Sequence, residues 1–377
     1  MERKILFTAS SYSHICSFHL PYLRYFQERG WRVHVACGGE ARPIPYADEV
    51  IHLPFEKQMR SPANFRAAKL LRAKLKRERY DLITTHTSLA AFFTRLAVLS
   101  LRDRSPLVNV AHGYLFDGDT GAAKKQILLT AERMTAPCTD LLLTMNQWDY
   151  ETARKYRLGK RVVNIPGIGV EFSRLDGVDP ALRRTMRAEL GLSKEDFVLF
   201  YAAEFSKRKS QSVLIEAMKD LPERVVLILA GQGVLLEECR GLVRQLGLEK
   251  RVKFPGHVDV APWYRMADAA VSSSRSEGLP FNIMEAMYCG LPVVASAVKG
   301  HTDLIVEGES GLLYPYGDTD ACAQAVKRLL EAPVLGEKLG HQAGASMSRY
   351  ELEQVLPIVT EPYESLLTPA REPVAAR

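Results

Sequence analysis

Two glutamates eight positions apart, Glu277 and Glu285, fall in the stretch SSSRSEGLPFNIMEAMYCG at residues 272–290. Carboxylates can work as an acid/base pair or grip hydroxyl groups, and the surrounding segment bears on which. Gly278 allows close backbone approach, and Pro280 suits the first turn of a helix because its missing N–H would be unpaired there anyway. Residues 281–289 read as that helix, and Gly290 stops it. An opening helix turn offers free amides and a positive dipole end to phosphate. Acidic side chains beside it suggest sugar hydroxyls as a second set of partners, and a phosphate plus a polyol is a nucleotide sugar. A retaining pair of carboxylates needs its groups about 5 Å apart. Eight residues of mostly helical separation place the two backbones on the order of 10 Å apart, so the glutamates read as grips on two ends of one ligand.

Other residues of the same chemistry sit at strand ends. The strand LVNVAHG closes on His112-Gly113, which puts an imidazole where it is either a structural histidine or a hydrogen-bonding group for a hydroxyl. AEFSKRKSQ follows the strand FVLFYA, so Lys207, Arg208 and Lys209 lie just before a helix. Three cations at a helix start suit a diphosphate, and a solvated charge run is the other reading. AGQG, with Gly231 and Gly233, closes another strand, where a turn needs glycine with or without a ligand. No GxGxxG and no GxxxxGK[ST] occurs, which argues against nicotinamide cofactors and P-loop nucleotide hydrolysis. Asp117-Gly-Asp119 and Asp318-Thr-Asp320 have the form of an Asp-x-Asp metal clamp. Such a clamp should end a buried strand, and these lie in turns, so no metal is expected. The six cysteines are scattered without a CxxC pair and read as reduced core residues.

The elements that position these residues alternate from end to end. KILFTAS, a helix over 18–29, RVHVACG, a basic helix, DLITTH, a helix over 88–101, LVNVAHG, a helix over 122–136 and DLLLTMN make a βαβ series. The second half restarts with a helix over 180–190, FVLFYAAEF, a helix over 210–218, VVLILAG, a helix over 235–246, RVKFPG, DAAVSSS, the glutamate helix and LPVVAS. Short apolar strands between amphipathic helices imply an α/β fold of two Rossmann-like domains with parallel sheets. Their strand carboxyl ends are expected to face each other across a cleft. The domains are expected at 1–168 and 169–349, with a hinge in IPGIGVEFSRL, a final helix over 350–367 and a disordered tail over 368–377.

Of 377 residues, 47% are hydrophobic and 25% charged, as in ordinary globular enzymes. No apolar run reaches the roughly 18 residues of a membrane span, and MERKILFTASSY leads straight into a strand pattern without a signal-peptide core, so a cytoplasmic protein is expected. Residues 1–170 hold 26 Lys+Arg against 15 Asp+Glu, a balance of +11, and the remainder holds 24 against 29, a balance of −5. The basic excess is densest over 57–79, where Lys69, Arg72, Lys74, Lys76, Arg77 and Arg79 accompany Leu70, Leu71 and Leu75. This is either a solvated helix face or a contact with anionic lipid headgroups. No nucleic-acid motif or interleaved aromatic residues accompany the charge.

Taken together, SEGLPFNIMEAMYCGLPVVAS, His112-Gly113, Lys209, Gly231, Gly233 and the hinge GIGVEF resemble the retaining glycosyltransferases of family 4, of GT-B fold. The resemblance covers nearly the whole chain. The opening TASSYSHICSFHLPYLRYFQERGWRVHVAC is further similar to the subgroup that builds bacterial capsular and exopolysaccharides. It implies a donor held by the C-terminal domain: Glu285 on the ribose hydroxyls, Glu277 with Gly278, Leu279, Pro280 and Phe281 on the donor sugar and phosphates, and Lys209 on the diphosphate. It implies further that His112 reaches the donor sugar, that Gly256, His257 and Val258 lie at the base, that Ser10 and Ser11 lie near the phosphates, and that His14 and His19 contact the acceptor. Many members carry an arginine a few residues before the matching lysine. Here Glu204 stands near that point, so phosphate neutralisation leans on Lys209 with Lys207 or Arg208.

The implied reaction is retaining transfer from a nucleoside-diphosphate sugar, UDP-linked by family weight. It needs no metal or other cofactor, and the leaving diphosphate takes the acceptor's proton. The implied acceptor is a lipid-diphosphate-linked sugar at the inner membrane face, approached through the basic half. A non-hydrolysing nucleotide-sugar 2-epimerase and a catalytically silent binding protein are the alternatives. An epimerase should carry further acidic and histidine residues for proton abstraction, which the sequence does not single out.

Overall fold

The computed structural model describes residues 2–39 and 42–367; the tail expected over 368–377 lies outside them. The chain falls into two compact units. The first runs to Gly169 and includes the chain from Glu353 onward, and the second is Val170–Leu352.

The sheet of the first unit contains β1 (Lys4–Ala9), β2 (Arg32–Cys37), β3 (Glu49–His52), β4 (Leu82–His86), β5 (Leu107–Ala111), β6 (Leu141–Thr144) and β7 (Arg161–Asn164). Its order is β3-β2-β1-β4-β5-β6-β7, and every pairing is parallel. The sheet of the second unit contains β8 (Phe197–Ala202), β9 (Val225–Ala230), β10 (Val252–Gly256), β11 (Ala269–Ser272), β12 (Val293–Ser296) and β13 (Leu312–Tyr314). Its order is β10-β9-β8-β11-β12-β13, again all parallel. Strands such as β9, VVLILA, are buried at every position because helices cover both faces of the sheet. The strand order reverses beside β1 in one unit and beside β8 in the other, where doubly wound folds bind ligands at strand C-termini.

The helix expected over 18–29 is found as Leu20–Glu28, and a short helix that the sequence reading did not single out, Tyr12–Phe18, precedes it with a break at His19. Pro21 has no N–H for the carbonyl four residues back, so it sits in the first turn of a new helix. The short edge strands β3 and β7, which the sequence reading did not single out, complete the first sheet. In the basic helix, Pro62–Arg77, Leu71 is buried but Leu70 is exposed beside the equally exposed Phe65. Lys74 turns aside to pair with Glu49 and Glu78.

The last helix, Leu352–Leu367, belongs to the first unit from Glu353 on. Tyr363 is buried there, with its hydroxyl 2.9 Å from Thr84 Oγ1 and its ring 6.0 Å from Phe26. Tyr25 donates a hydrogen bond to Glu364 at 2.5 Å. Tyr363→Ala removes a buried ring and leaves Thr84 with one partner fewer, so it is expected to lower stability by about 3–5 kcal/mol. Urea unfolding measures this, and a loss under about 1 kcal/mol would show that the helix is not held by this ring.

Candidate functional site

A group of buried charges inside the second unit gathers at the C-terminal ends of β8, β11 and β12. Glu277 is buried in the loop after β11. Its carboxylate accepts from Lys209 Nζ at 2.6 Å and from Arg208 at 2.6 Å. Burial alone would raise the Glu277 carboxyl, but the two cations outweigh it and hold it down at about 2. For Lys209 the balance runs the other way: burial pushes the ammonium below the usual lysine range, and Glu277 offsets this only partly while Arg208 adds repulsion. The two directions are consistent because one carboxylate faces two cations. Lys207, the third cation of the run, points to solvent.

Of Lys207 and Arg208, Arg208 is the one that shares the Glu277 carboxylate with Lys209. Glu204 is exposed, and its carbonyl accepts from Gln211. The loop that carries the cations is fixed by glycines that a side chain could not replace. A Cβ on Gly231 would meet the Ala203 carbonyl oxygen at 2.1 Å, and one on Gly233 would meet the Phe205 oxygen at 2.3 Å. The sequence reading left these glycines undecided between turn and ligand, and close packing against residues 203–205 accounts for them.

Glu285 lies one element further on, in the helix Phe281–Tyr288. Pro280 precedes this helix as its cap residue, a position earlier than the first helical turn expected for it, and Leu279 is buried behind it. Glu285 is also buried, which raises its carboxyl, while an ion pair with Arg174 and a 3.2 Å hydrogen bond from Tyr264 act against the rise. The two glutamates thus have separate partners, Lys209 and Arg208 for one and Arg174 and Tyr264 for the other.

Nearby, Gly256 ends β10 and its carbonyl accepts from Gly231 at 2.7 Å. His257 beside it is exposed and Val258 partly buried.

Several groups here were not foreseen. Lys299, Gly300 and His301 follow β12 and pack against the Glu277 loop. Glu277 N donates to the Lys299 carbonyl at 3.3 Å, and a Cβ on Gly300 would meet Glu277 Cβ at 2.7 Å. His301 Nδ1 donates to the Ser296 carbonyl at 2.8 Å, which leaves Nε2 to accept from Ser272 at 3.1 Å. Burial lowers this imidazole to about 4 and keeps it neutral. The signal was available in VVASAVKGH, a buried strand followed by a short loop and a glycine that opens a helix.

In the first unit, the residues expected near the phosphates and acceptor also sit at strand ends. Ser10 follows β1 and its N–H donates to Thr87 at 3.0 Å, while Ser11 caps the helix Tyr12–Phe18 by accepting from His14 N at 3.3 Å. His14, His19 and His112 come together with His86. Burial lowers His14 to about 4 and pushes His19, His86 and His112 well below the usual histidine range. The Asp-x-Asp pairs have local roles. Asp117 accepts from Asp119 N and the Thr120 hydroxyl, and Asp318 caps the helix Thr319–Glu331.

The chain is 33% identical over 375 residues to EpsD of Bacillus subtilis (strain 168), a glycosyltransferase by name, covering 97% of this chain and 98% of that one. Family profiles divide it at the same place as its two units: Glycosyltransferase Family 4 matches residues 22–168 and Glycosyl transferases group 1 matches 183–345. The chain belongs to glycosyltransferase family 4. A further family relative is the UDP-Gal:alpha-D-GlcNAc-diphosphoundecaprenol alpha-1,3-galactosyltransferase of Escherichia coli, 28% identical over 69% of each chain. Among solved structures, Anabaena Alr3699/HepE in complex with UDP and glucose superposes with a TM-score of 0.78 at 22% identity, over 96% of this chain and 100% of that one. WaaG, a glycosyltransferase involved in lipopolysaccharide biosynthesis, superposes with a TM-score of 0.74 at 18% identity, over 97% and 99%. The family 4 chain therefore has the GT-B fold, with one parallel sheet in each unit.

Glu277→Gln isolates the part electrostatics plays in this family 4 site. It leaves the buried Lys209 ammonium without its counter-charge, so stability at pH 7 should fall by about 3–5 kcal/mol. Lys209 then has a folded pKa further below its unfolded value, and the unfolded chain binds more protons between the two. Stability should accordingly recover as pH rises toward the unfolded value of 10.5, more steeply than in the wild type. Urea midpoints at pH 7 and 9 test this, and equal slopes for both proteins would refute it.

Proposed function

We propose that the protein is a retaining, metal-independent hexosyltransferase that moves a sugar from a UDP-sugar to a polyprenyl-diphosphate-linked or other glycan acceptor in bacterial surface-polysaccharide synthesis. The observation that carries this reading is the Lys209–Glu277–Arg208 cluster in a chain similar to EpsD over almost its full length. Two cations against one carboxylate leave a net positive charge of one for an arriving diphosphate. When the sugar–phosphate bond breaks, charge builds on the leaving diphosphate, and Lys209 and Arg208 offset it in a site already fixed by burial. The leaving phosphate oxygen takes the acceptor hydroxyl's proton, so no side chain has to become a covalent nucleophile. Glu285 serves the ribose, Glu277 with residues 278–281 the sugar and phosphates, and His112 hydrogen-bonds the donor sugar. Gly256, His257 and Val258 serve the base, Ser10 and Ser11 lie near the phosphates, and His14 and His19 serve the acceptor.

UDP is favoured because Alr3699/HepE was solved with it and the Escherichia coli relative is named for UDP-Gal. The same relative's diphosphoundecaprenol acceptor supports a lipid-linked one here. The exposed Phe65 and Leu70 stand on the basic helix with Arg66, Lys69, Arg72 and Lys76, also exposed, and suit peripheral contact with an anionic membrane surface. No helix among the described residues is long and apolar enough to cross a membrane.

Release of UDP from a panel of UDP-sugars with a lipid-linked acceptor tests the reaction. Epimer exchange of the donor without transfer would support the epimerase reading instead, and binding without either would indicate a silent binder. Lys209→Ala should cut turnover by at least about 100-fold with the fold intact, on the scale of a lost charge-stabilising donor. Unchanged turnover would remove its role. Glu285→Ala should abolish UDP binding in calorimetry, and wild-type affinity would show the ribose assignment to be wrong. Flotation with anionic liposomes at low salt should be lost at high salt, and no salt-sensitive association would remove the membrane contact.

A further inference from the structure

Four of the nine histidines meet at the C-terminal end of the first unit's sheet. His86 closes β4, His112 follows β5, and His14 and His19 come from the helix Tyr12–Phe18 and the break after it. His14 Nε2 lies 3.2 Å from His19 Nε2, and His86 Nδ1 lies 3.3 Å from His112 Nε2. One ring nitrogen from each of His14, His19 and His112 falls within 4.8 Å of the other two.

Nitrogens this close need something shared between them, either a proton or a cation. His19 and His86 are almost wholly buried, which disfavours an extra proton on either ring. A neutral imidazole offers a nitrogen lone pair, the form in which histidine binds metals. The 3.2 Å between His14 and His19 suits the same purpose. Zinc–nitrogen bonds of about 2.0–2.1 Å at tetrahedral angles put neighbouring ligand nitrogens about 3.3 Å apart. His19 Nδ1 is buried with no hydrogen-bond partner, so this cluster is not closed by protein contacts alone.

His86 has the place of an outer partner. Its Nε2 lies 3.2 Å from Thr84 Oγ1, which is 2.9 Å from the Tyr363 hydroxyl, so a chain of hydrogen bonds orients the ring that faces His112. Such second contacts are what hold a metal-binding imidazole in one tautomer. Among the described residues, the other group with metal-like spacing is His34, Glu49 and Glu78. There Lys4 and Lys74 already occupy the carboxylates at 2.6–2.8 Å, and the Tyr80 hydroxyl lies 2.9 Å from His34 Nδ1. That group already has its cations, whereas His19 Nδ1 in the histidine cluster has no partner.

We propose that His14, His19 and His112 form a binding site for one zinc ion, with His86 orienting His112. An all-imidazole set selects zinc, nickel or copper over magnesium and calcium, which prefer oxygen ligands. Zinc is not a cofactor for transfer here. It competes for His112, and so makes turnover zinc-sensitive if His112 contacts the donor sugar as assigned above.

The test uses the full-length protein, freed of metal with EDTA and desalted. Zinc chloride is titrated in competition with a chromophoric chelator, and cobalt chloride is added separately for its visible spectrum. One equivalent of zinc, intense cobalt bands of tetrahedral type, and a zinc-dependent rise in melting temperature are expected. His14→Ala, at the partly exposed ring, and His19→Ala should each weaken zinc binding at least about tenfold, the lower end for losing even an outer-shell partner. Cys16→Ser and His34→Gln should leave it unchanged. If His19→Ala fails to fold, His14→Ala decides alone.

No zinc retained against the chelator, or binding that survives His14→Ala and disappears in Cys16→Ser or His34→Gln, overturns the site. Zinc that binds as expected but leaves UDP release unaltered would keep the site and overturn the roles given to His112, His14 and His19 in turnover. Transfer activity in metal-free protein is read separately, so the reaction and the zinc site can fail independently.

Discussion

A carboxylate withdrawn from water as far as Glu277 stays ionised only while cations accompany it, and most of the second unit's site follows from meeting that condition. Lys209 is drawn inward against its own desolvation, Arg208 reaches across from the same loop, and Ser272–Ser274 with His301 fill the remaining polar space. The glycines at 231, 233 and 300 belong to the same requirement, because each lets one backbone segment come within contact of another that carries or supports the ion cluster. Removing one member therefore changes the charge state or the position of the others.

The two units place polar groups at equivalent topological positions, beyond the C-terminal ends of parallel strands, and handle burial in opposite ways. The second keeps full charges and neutralises them against one another. The first buries uncharged partners: burial holds His14, His19, His86 and His112 below the usual histidine range, with ring nitrogens 3.2 and 3.3 Å apart in two pairs. A diphosphate is attracted by the first kind of surface, whereas hydroxyl groups and soft cations are suited to the second.

The fold was legible because its signals are local. Continuous apolar strands such as VVLILA, breaks at glycine, and amphipathic helices between them gave two parallel sheets with little ambiguity. The helix expected over 18–29 starts two residues later, at Leu20, because the missing N–H of Pro21 favours the first turn of a new helix, and the short helix Tyr12–Phe18 before it was not singled out. Leu70 was counted with the apolar positions of its helix, and it lies on the exposed side. In the site, Glu277, Glu285 and Lys209 could be found from one segment each. Their partners could not. Arg174 is 111 residues from Glu285, and His86 becomes part of a cluster only through contacts with residues 19 and 112 that no single window contains.

The chain leaves the first unit once and returns to it once, and both crossings happen at one spot. Val170 N donates to the Tyr350 carbonyl and Leu352 N donates to the Val170 carbonyl, each at 2.9 Å, so the two ends of the second unit are fastened side by side. In genetic terms this unit is a domain inserted into a loop of its host. Its ends already meet, so residues 170–352 form a self-contained cassette: it could be lifted out, closed into a ring or exchanged for another without asking the host chain to span any distance.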